Sequence, residues 1–207
     1  AGALSFDISI SGSEREPRIE LSWRSSDLSI ERARFSKIEG RLTCSGGVLR
    51  LKRFEISIGP DSISASGYVP FGIEFPSFKP VRRGDEFEIS ADGRFRSLGF
   101  IPLIIRDIVS ASGRGTISIT VGGTLESPRM SGAAEFDSFD MRYFLYGVEL
   151  KETRFTLSFD GSALHIEGME GRLNGGPFSV TGSVVFKGFK PYRFDLRGSW
   201  NGSTFYY

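Results

Sequence analysis

Strict alternation of apolar with small or polar residues is what narrows the folding options of this chain most. Phe6, Ile8 and Ile10, then Ile117, Ile119 and Val121, then Phe155, Leu157 and Phe159 are each separated by Ser, Thr, Asp or similar residues. A period of two is the pattern of a β-strand with one face buried and one solvated, because successive side chains of a strand point to opposite sides. The same rule holds at Ile19 to Trp23, Leu49 to Leu51, Ile56 to Ile58, Ile63 to Ala65, Phe87 to Ala91, Leu164 to Ile166, Phe178 to Val180, Val184 to Phe186 and Phe194 to Leu196. Glycine-bearing turns such as Ser45-Gly46-Gly47, Asp160-Gly161 and Asn174-Gly175-Gly176 separate the runs at hairpin distances. The pattern predicts an all-β antiparallel meander.

One stretch breaks the alternation. Arg96 to Val109 carries apolar residues with no period of two, and Pro102 suits the first turn of a helix. A short helix is therefore expected near 98–109, as a plug or cap between two strand blocks.

The chain also repeats itself. Gly12 to Arg18, Ser45 to Leu51, Ser64 to Phe71 and Ser77 to Pro80 are answered in the same order by Gly123 to Arg129, Asp160 to Ile166, Val180 to Phe186 and Gly188 to Pro191. Pro17 and Pro128 lie 111 residues apart, Gly67 and Gly182 lie 115 apart, and Pro80 and Pro191 lie 111 apart. Blocks that each present one apolar face stack to extend it, which predicts an elongated, repeat-built sheet. The division read from this is a first β block over 1–93, an apolar helix-like insert over 94–112, a second β block over 113–198, and the start of a further, truncated repeat over 199–207. A duplicated compact β domain is the alternative.

Composition excludes several classes of function. The 207 residues, 39% hydrophobic, suffice for a continuous core, so the chain is not a disordered segment. Its 26 basic and 25 acidic side chains are interleaved, with no basic block to hold a phosphate backbone, so nucleic acid is a poor partner. A single cysteine, Cys44, forms no internal disulfide. The longest apolar run, Phe100 to Ile105, falls far short of the roughly 20 residues a spanning helix needs. No signal peptide is visible, and a chain that opens on Ala1 and closes in a strand-like Ser203 to Tyr207 reads as a piece of a longer protein.

The passage from Gly113 to Gly132, with its strand, Gly123-Thr124-Leu125 and Pro128, resembles a segment that recurs in the TamB/AsmA-like family. The order that follows is similar too: Phe155 to Phe159, Asp160-Gly161, Leu164 to Ile166, a Gly-Gly turn, then Phe178 to Val184, with an apolar insert ahead of Gly113. The first block departs from this pattern, since the run from Gly12 to Arg18 differs and no insert precedes it. The resemblance implies a periplasmic β structure curved into a U-shaped, taco-like groove within an inner-membrane-anchored protein. It implies phospholipid acyl chains as cargo, moved between inner and outer membranes, and an outer-membrane barrel protein of the TamA/BamA type as partner. It implies a role in outer-membrane biogenesis, without enzymatic activity or cofactor.

The alternating face suggests a mechanism. The candidate lipid-lining residues are Phe6, Ile8, Ile10, Leu49, Leu51, Ile56, Ile58, Ile117, Ile119, Val121, Phe155, Leu157, Phe159, Leu164, Ile166, Phe178, Val180, Val184 and Phe186. Each methylene moved from water onto such a wall gains about 0.8 kcal/mol, so an acyl chain binds without specific polar contacts and slides at little cost. The competing reading is that these residues fill the core of a β-sandwich. A structural module that templates client strands at a free sheet edge is a second functional class, and a carbohydrate-active sandwich is a third, for which Trp23 and Trp200 are too isolated.

Catalytic and metal chemistry find little supply. Alternation places the one histidine, His165, opposite its apolar neighbours, and Cys44 has no histidine near it in sequence. One Cys and one His cannot assemble a Cys/His metal site. Carboxylate neighbours such as Glu14 and Glu16, Asp85 and Glu86, or Glu167 and Glu170 read as solvated strand ends, and the glycine clusters lack the Lys-Ser/Thr ending of a phosphate loop.

Overall fold

A computed structural model describes residues 3–14, 16–30, 33–74, 77–79 and 85–203. Pro80 and residues 204–207, on which the last repeat match and part of the truncated repeat rest, lie outside them. The strands are β1 (Ala3–Gly12), β2 (Pro17–Ile30), β3 (Ala33–Ser45), β4 (Val48–Ile58), β5 (Asp61–Pro70), β6 (Gly72–Glu74), β7 (Ser77–Lys79) and β8 (Phe87–Phe95). After the helix α1 (Ile101–Ile104) come β9 (Ile108–Gly123), β10 (Pro128–Tyr143), a 3-10 turn at Leu145–Gly147, β11 (Val148–Gly161), β12 (Ala163–Leu173), β13 (Gly176–Lys187) and β14 (Lys190–Trp200).

The fold is all-β. Twelve strands form one open sheet in the order β1-β2-β3-β4-β5-β8-β9-β10-β11-β12-β13-β14, and β6 pairs β7 separately. Every pairing whose register is described is antiparallel. The long strands thus join a single hydrogen-bonded sheet, where a sandwich would need two facing ones. The expected helix is present but is one turn long. Pro102 sits in its first turn as anticipated, and the chain re-enters a strand at Ile108, where β-branched Ile108 and Val109 favour extended backbone.

The internal repeat has a structural counterpart. Gly12 and Gly123 close equivalent hairpins with φ of +94° and +93°, where a Cβ would collide with the carbonyl oxygen of Glu16 and of Ser127 respectively. Asp27 and Ser138, again 111 positions apart, both adopt left-handed backbone, with φ of 54° and 53°. Gly67 and Gly182 have φ of +154° and +134° and press their backbones against the Cα atoms of Ile89 and Leu196.

The chain divides into two compact units, Ala1–Asp92 with Thr120–Arg129, and Gly93–Ile119 with Met130–Tyr207. Strands β8 and β9 contribute to both.

Candidate functional site

In the first unit the register carries the apolar residues onto one face. Phe6, Ile8 and Ile10 of β1 face Trp23, Leu21 and Ile19 of β2, which face Gly40, Leu42 and Cys44 of β3. Leu42 and Cys44 in turn face Leu51 and Leu49 of β4, while Gly40 faces Phe54 and Ile38 faces Ile56. Leu51 and Phe54 would fall on opposite sides of an unbroken strand. A bulge at Lys52 and Arg53 restores them to one side. Ile58 continues that row opposite Asp61. The Ser90 and Thr120 hydroxyls lie 2.9 Å apart, so alternation sets Ile89 and Val121 on the other side of their strands.

The second unit is built alike. One row runs Phe136, Phe155, Met169, Val180, Gly198, the next Ala134, Leu157, Ile166, Gly182, Leu196, and the next Gly132, Phe159, Leu164, Val184, Phe194. Gly171 faces Phe178, which faces Trp200. Phe186 pairs with Pro191 beyond a register shift. A bulge at Glu167 and Gly168 keeps Ile166 and Met169 on one side, 115 positions after Leu51 and Phe54. Ile117 packs where a Cβ on Gly93 would meet its Cγ2, and Ile119 lies against Gly132. All nineteen lining residues read from the sequence therefore fall on the apolar face of their own unit.

Glycines shape this wall. Phe136 lies over Gly115 so closely that a Cβ there would be 2.4 Å from its ring, which lets Phe136 stack on Phe95 at 6.0 Å and on Phe155 at 4.6 Å. Trp23 lies over Gly40 in the same way and reaches Phe54 at 6.2 Å. Such pairs add about 0.5–1.5 kcal/mol beyond the area they bury. The sequence reading omitted Trp23, Phe54, Phe136 and Met169. The first three belong to glycine-bridged aromatic contacts between distant segments, and the bulges shift the parity of Phe54 and Met169.

Exposure varies along the wall. Inner strands hold most of their lining residues half-buried, with Phe178 and Val184 buried, whereas Phe6, Ile8 and Ile10 on β1 are 59%, 66% and 62% exposed, and Phe194 and Trp200 on β14 are exposed too. The opposite face is ionic. In the first unit Lys37 bonds Glu39 at 3.0 Å and Glu55 at 3.1 Å, and Arg53 bonds the same two carboxylates. Arg53 and Lys37 hold the Glu55 carboxyl below the usual carboxylate range, and Glu39 and Glu55 together raise the Lys37 ammonium. In the second unit Asp137 pairs with Arg114 and Arg154.

The histidine, the cysteine and the neighbouring carboxylates are dispersed. His165, half-buried, sits on the polar side opposite Ser158 and Ser183. Cys44 is buried on the apolar side, and burial pushes its thiol up. Glu167 accepts a hydrogen bond from Ser158, Glu170 pairs with Arg154 and Glu86 with Arg129. Among the described residues no group of three His, Cys, Asp or Glu could hold a metal ion, and no helix is long and apolar enough to cross a membrane.

Compared with known proteins, the chain matches no protein-family model, no curated protein and no solved structure.

Proposed function

We propose that this chain is a non-catalytic part of a cell-envelope protein whose apolar sheet face shelters lipid acyl chains during phospholipid transport between membranes. The observation that carries the reading is the segregation of faces. Nineteen alternating apolar residues share one side within each unit, ion pairs occupy the other, and the outermost apolar side chains stand open to solvent. A closed core would hide those side chains, and a binding pocket would add polar groups to orient its ligand. A long apolar wall without such groups suits cargo held by area alone, at about 0.8 kcal/mol per methylene. Headgroups stay in water. The periplasmic setting, the inner-membrane anchor of a parent protein and a TamA/BamA-type barrel partner rest on the family resemblance.

Native mass spectrometry with organic extraction, on protein purified from bacteria without detergent, tests this. Phospholipid should co-purify, and should be lost in a Leu157→Asp, Phe159→Asp variant whose circular dichroism stays β-rich. A folded wild-type protein free of lipid would sink the proposal, as would unchanged lipid in the folded variant.

A second reading, a module that templates client strands for outer-membrane protein assembly, draws on the backbone of β1 and β14, which stand at the ends of the sheet order among the described residues.

A further inference from the structure

At one end of the second unit three strand ends come together: β9 begins at Ile108, β10 stops at Tyr143 and β11 begins at Val148. The segment after α1 meets the β10–β11 turn there, where the Phe144 amide donates to the carbonyl oxygen of Asp107 at 2.8 Å. Four apolar side chains stand open to solvent at this junction. Phe144 is 74% exposed, more than any other large apolar residue among those described, and Ile105, Val109 and Leu145 are 48%, 47% and 43% exposed. None is one of the nineteen lining residues, so sheltering an acyl chain on the wall does not account for them. The repeat does not account for them either. Asp27 and Ser138 mark equivalent points in the two blocks, yet between β2 and β3 the sequence holds Glu31 and Arg32, and between β10 and β11 it holds Phe144-Leu145-Tyr146-Gly147.

We propose that this apolar tip docks into the headgroup region of a phospholipid bilayer that carries anionic lipid. The tip is separate from the lining face, and the proposal stands whether or not the wall holds an acyl chain.

Backbone pairing and charge both fit a bilayer. A turn that enters the boundary of the hydrocarbon must have its amides and carbonyls paired within the protein. Besides the Phe144 amide, those of Ile105 and Ile108 donate to the carbonyls of Ile101 and Ile105 at 2.9 and 3.1 Å. Asn174, in the β12–β13 turn, braces the other side: its side-chain amide donates to the Gly147 carbonyl at 3.0 Å, and its side-chain oxygen accepts the Glu149 N–H at 2.6 Å. Arg106 and Arg142, both exposed, flank the tip. Guanidinium groups on long stems stay with lipid phosphates while the apolar groups beside them sink. Two carboxylates lie close in sequence or register, Asp107 next to Arg106 and Glu149 opposite Arg142, and Glu149 is paired with Lys151 at 3.2 Å.

Co-sedimentation with phosphatidylcholine vesicles, made with and without phosphatidylglycerol, tests the proposal. Wild type should pellet with the anionic vesicles and less with the neutral ones. A Phe144→Ser, Leu145→Ser variant, altered at exposed positions and checked by circular dichroism, should bind at least about tenfold more weakly, because two apolar side chains no longer leave water. Arg106→Gln with Arg142→Gln should remove most of the difference between the two vesicle types. The Leu157→Asp, Phe159→Asp protein should still pellet, which separates bilayer docking from acyl-chain sheltering. Wild type that stays in the supernatant with both vesicles would overturn the proposal. So would unchanged binding by the folded Phe144→Ser, Leu145→Ser protein, or loss of binding in the Leu157→Asp, Phe159→Asp protein, which would put the contact on the wall. Self-association that those two serines abolish, in a protein that ignores vesicles, would assign the tip to a second copy instead.

Discussion

Two aromatic clusters in this molecule share one design and meet different fates. In the first unit Trp23 and Phe54 approach each other over Gly40, and both remain half-buried. In the second, Phe136 over Gly115 and its neighbour Phe155 are half-buried as well, but Phe136 also stacks on Phe95, and the segment after β8 folds back onto Phe95, setting the Phe100 ring 5.5 Å from it. Leu98 is 1% exposed there, and Phe95, Ile108 and Phe139 are buried as well. The glycine-bridged aromatic contact is thus neutral between wall and core. What buries Phe95 and Leu98 is a segment folded over the wall, which the insert supplies in the second unit.

Removing the cover breaks the comparison most sharply. Leu98→Ala deletes a fully buried side chain and should cost about 3 kcal/mol in chemical denaturation, within the range for core leucines. Phe6→Ala, on the uncovered wall, should cost less than about 1 kcal/mol despite removing a larger group, because most of that ring is already in water. Equal losses would mean that the insert does not convert wall into core.

Filling the glycine gaps sharpens the same contrast. A Cβ on Gly115 would meet both the Phe136 ring and, at 2.6 Å, the backbone oxygen of Glu135, which cannot move aside without disturbing the sheet. The three atoms nearest to a Cβ on Gly40 all belong to the Trp23 indole, whose side chain can swing away. Gly115→Ala should therefore cost about 2 kcal/mol, as overpacking does. Gly40→Ala should cost about half as much by the same reasoning and shift the tryptophan fluorescence. A larger loss from Gly40→Ala, with unchanged emission, would contradict this account of the two clusters.

These positions also mark what the sequence displays and what it conceals. Alternation is a local property, so the strands and the common side of Phe155, Leu157 and Phe159 can be read directly. The repeat can be read too, because hairpin and close-approach positions demand particular residues: Gly12 and Gly123, or Gly67 and Gly182, occupy backbone conformations that a side chain strains. A bulge is harder, since it changes parity without a compositional mark. Nothing in Leu51 to Phe54 announces that these two residues share a face. The pairing of Gly115 with Phe136 is a contact between separate strands, and only the register of the sheet reveals it. Helix length is hidden for a related reason, because the run after Pro102 is apolar apart from Arg106 and Asp107, without alternation, and the point at which the sheet reclaims it depends on partners distant in sequence.

The smallest expected effect concerns the opposite face, where the two units again differ. Glu39 and Glu55 in the first unit are only 17% and 22% exposed at the side chain, whereas Asp137 and Glu170 in the second are 52% and 70% exposed. Because Arg53 and Lys37 depress the folded-state ionisation of Glu55, its contribution to stability is complete above the ordinary glutamate pKa of about 4.3 and is lost as pH falls through the lower, folded value. Thermal melts between neutral and acidic pH should therefore show a fall in midpoint below that range for the wild type and a shallower one for Glu55→Gln. Asp137→Asn serves as the comparison. Its partners are largely in water, and exposed pairs of this kind contribute about 0–1 kcal/mol, so its neutral-pH midpoint should stay close to wild type. If Glu55→Gln melts in parallel with wild type at every pH, the four-residue network of the first unit holds its charges together without stabilising the strands that carry them.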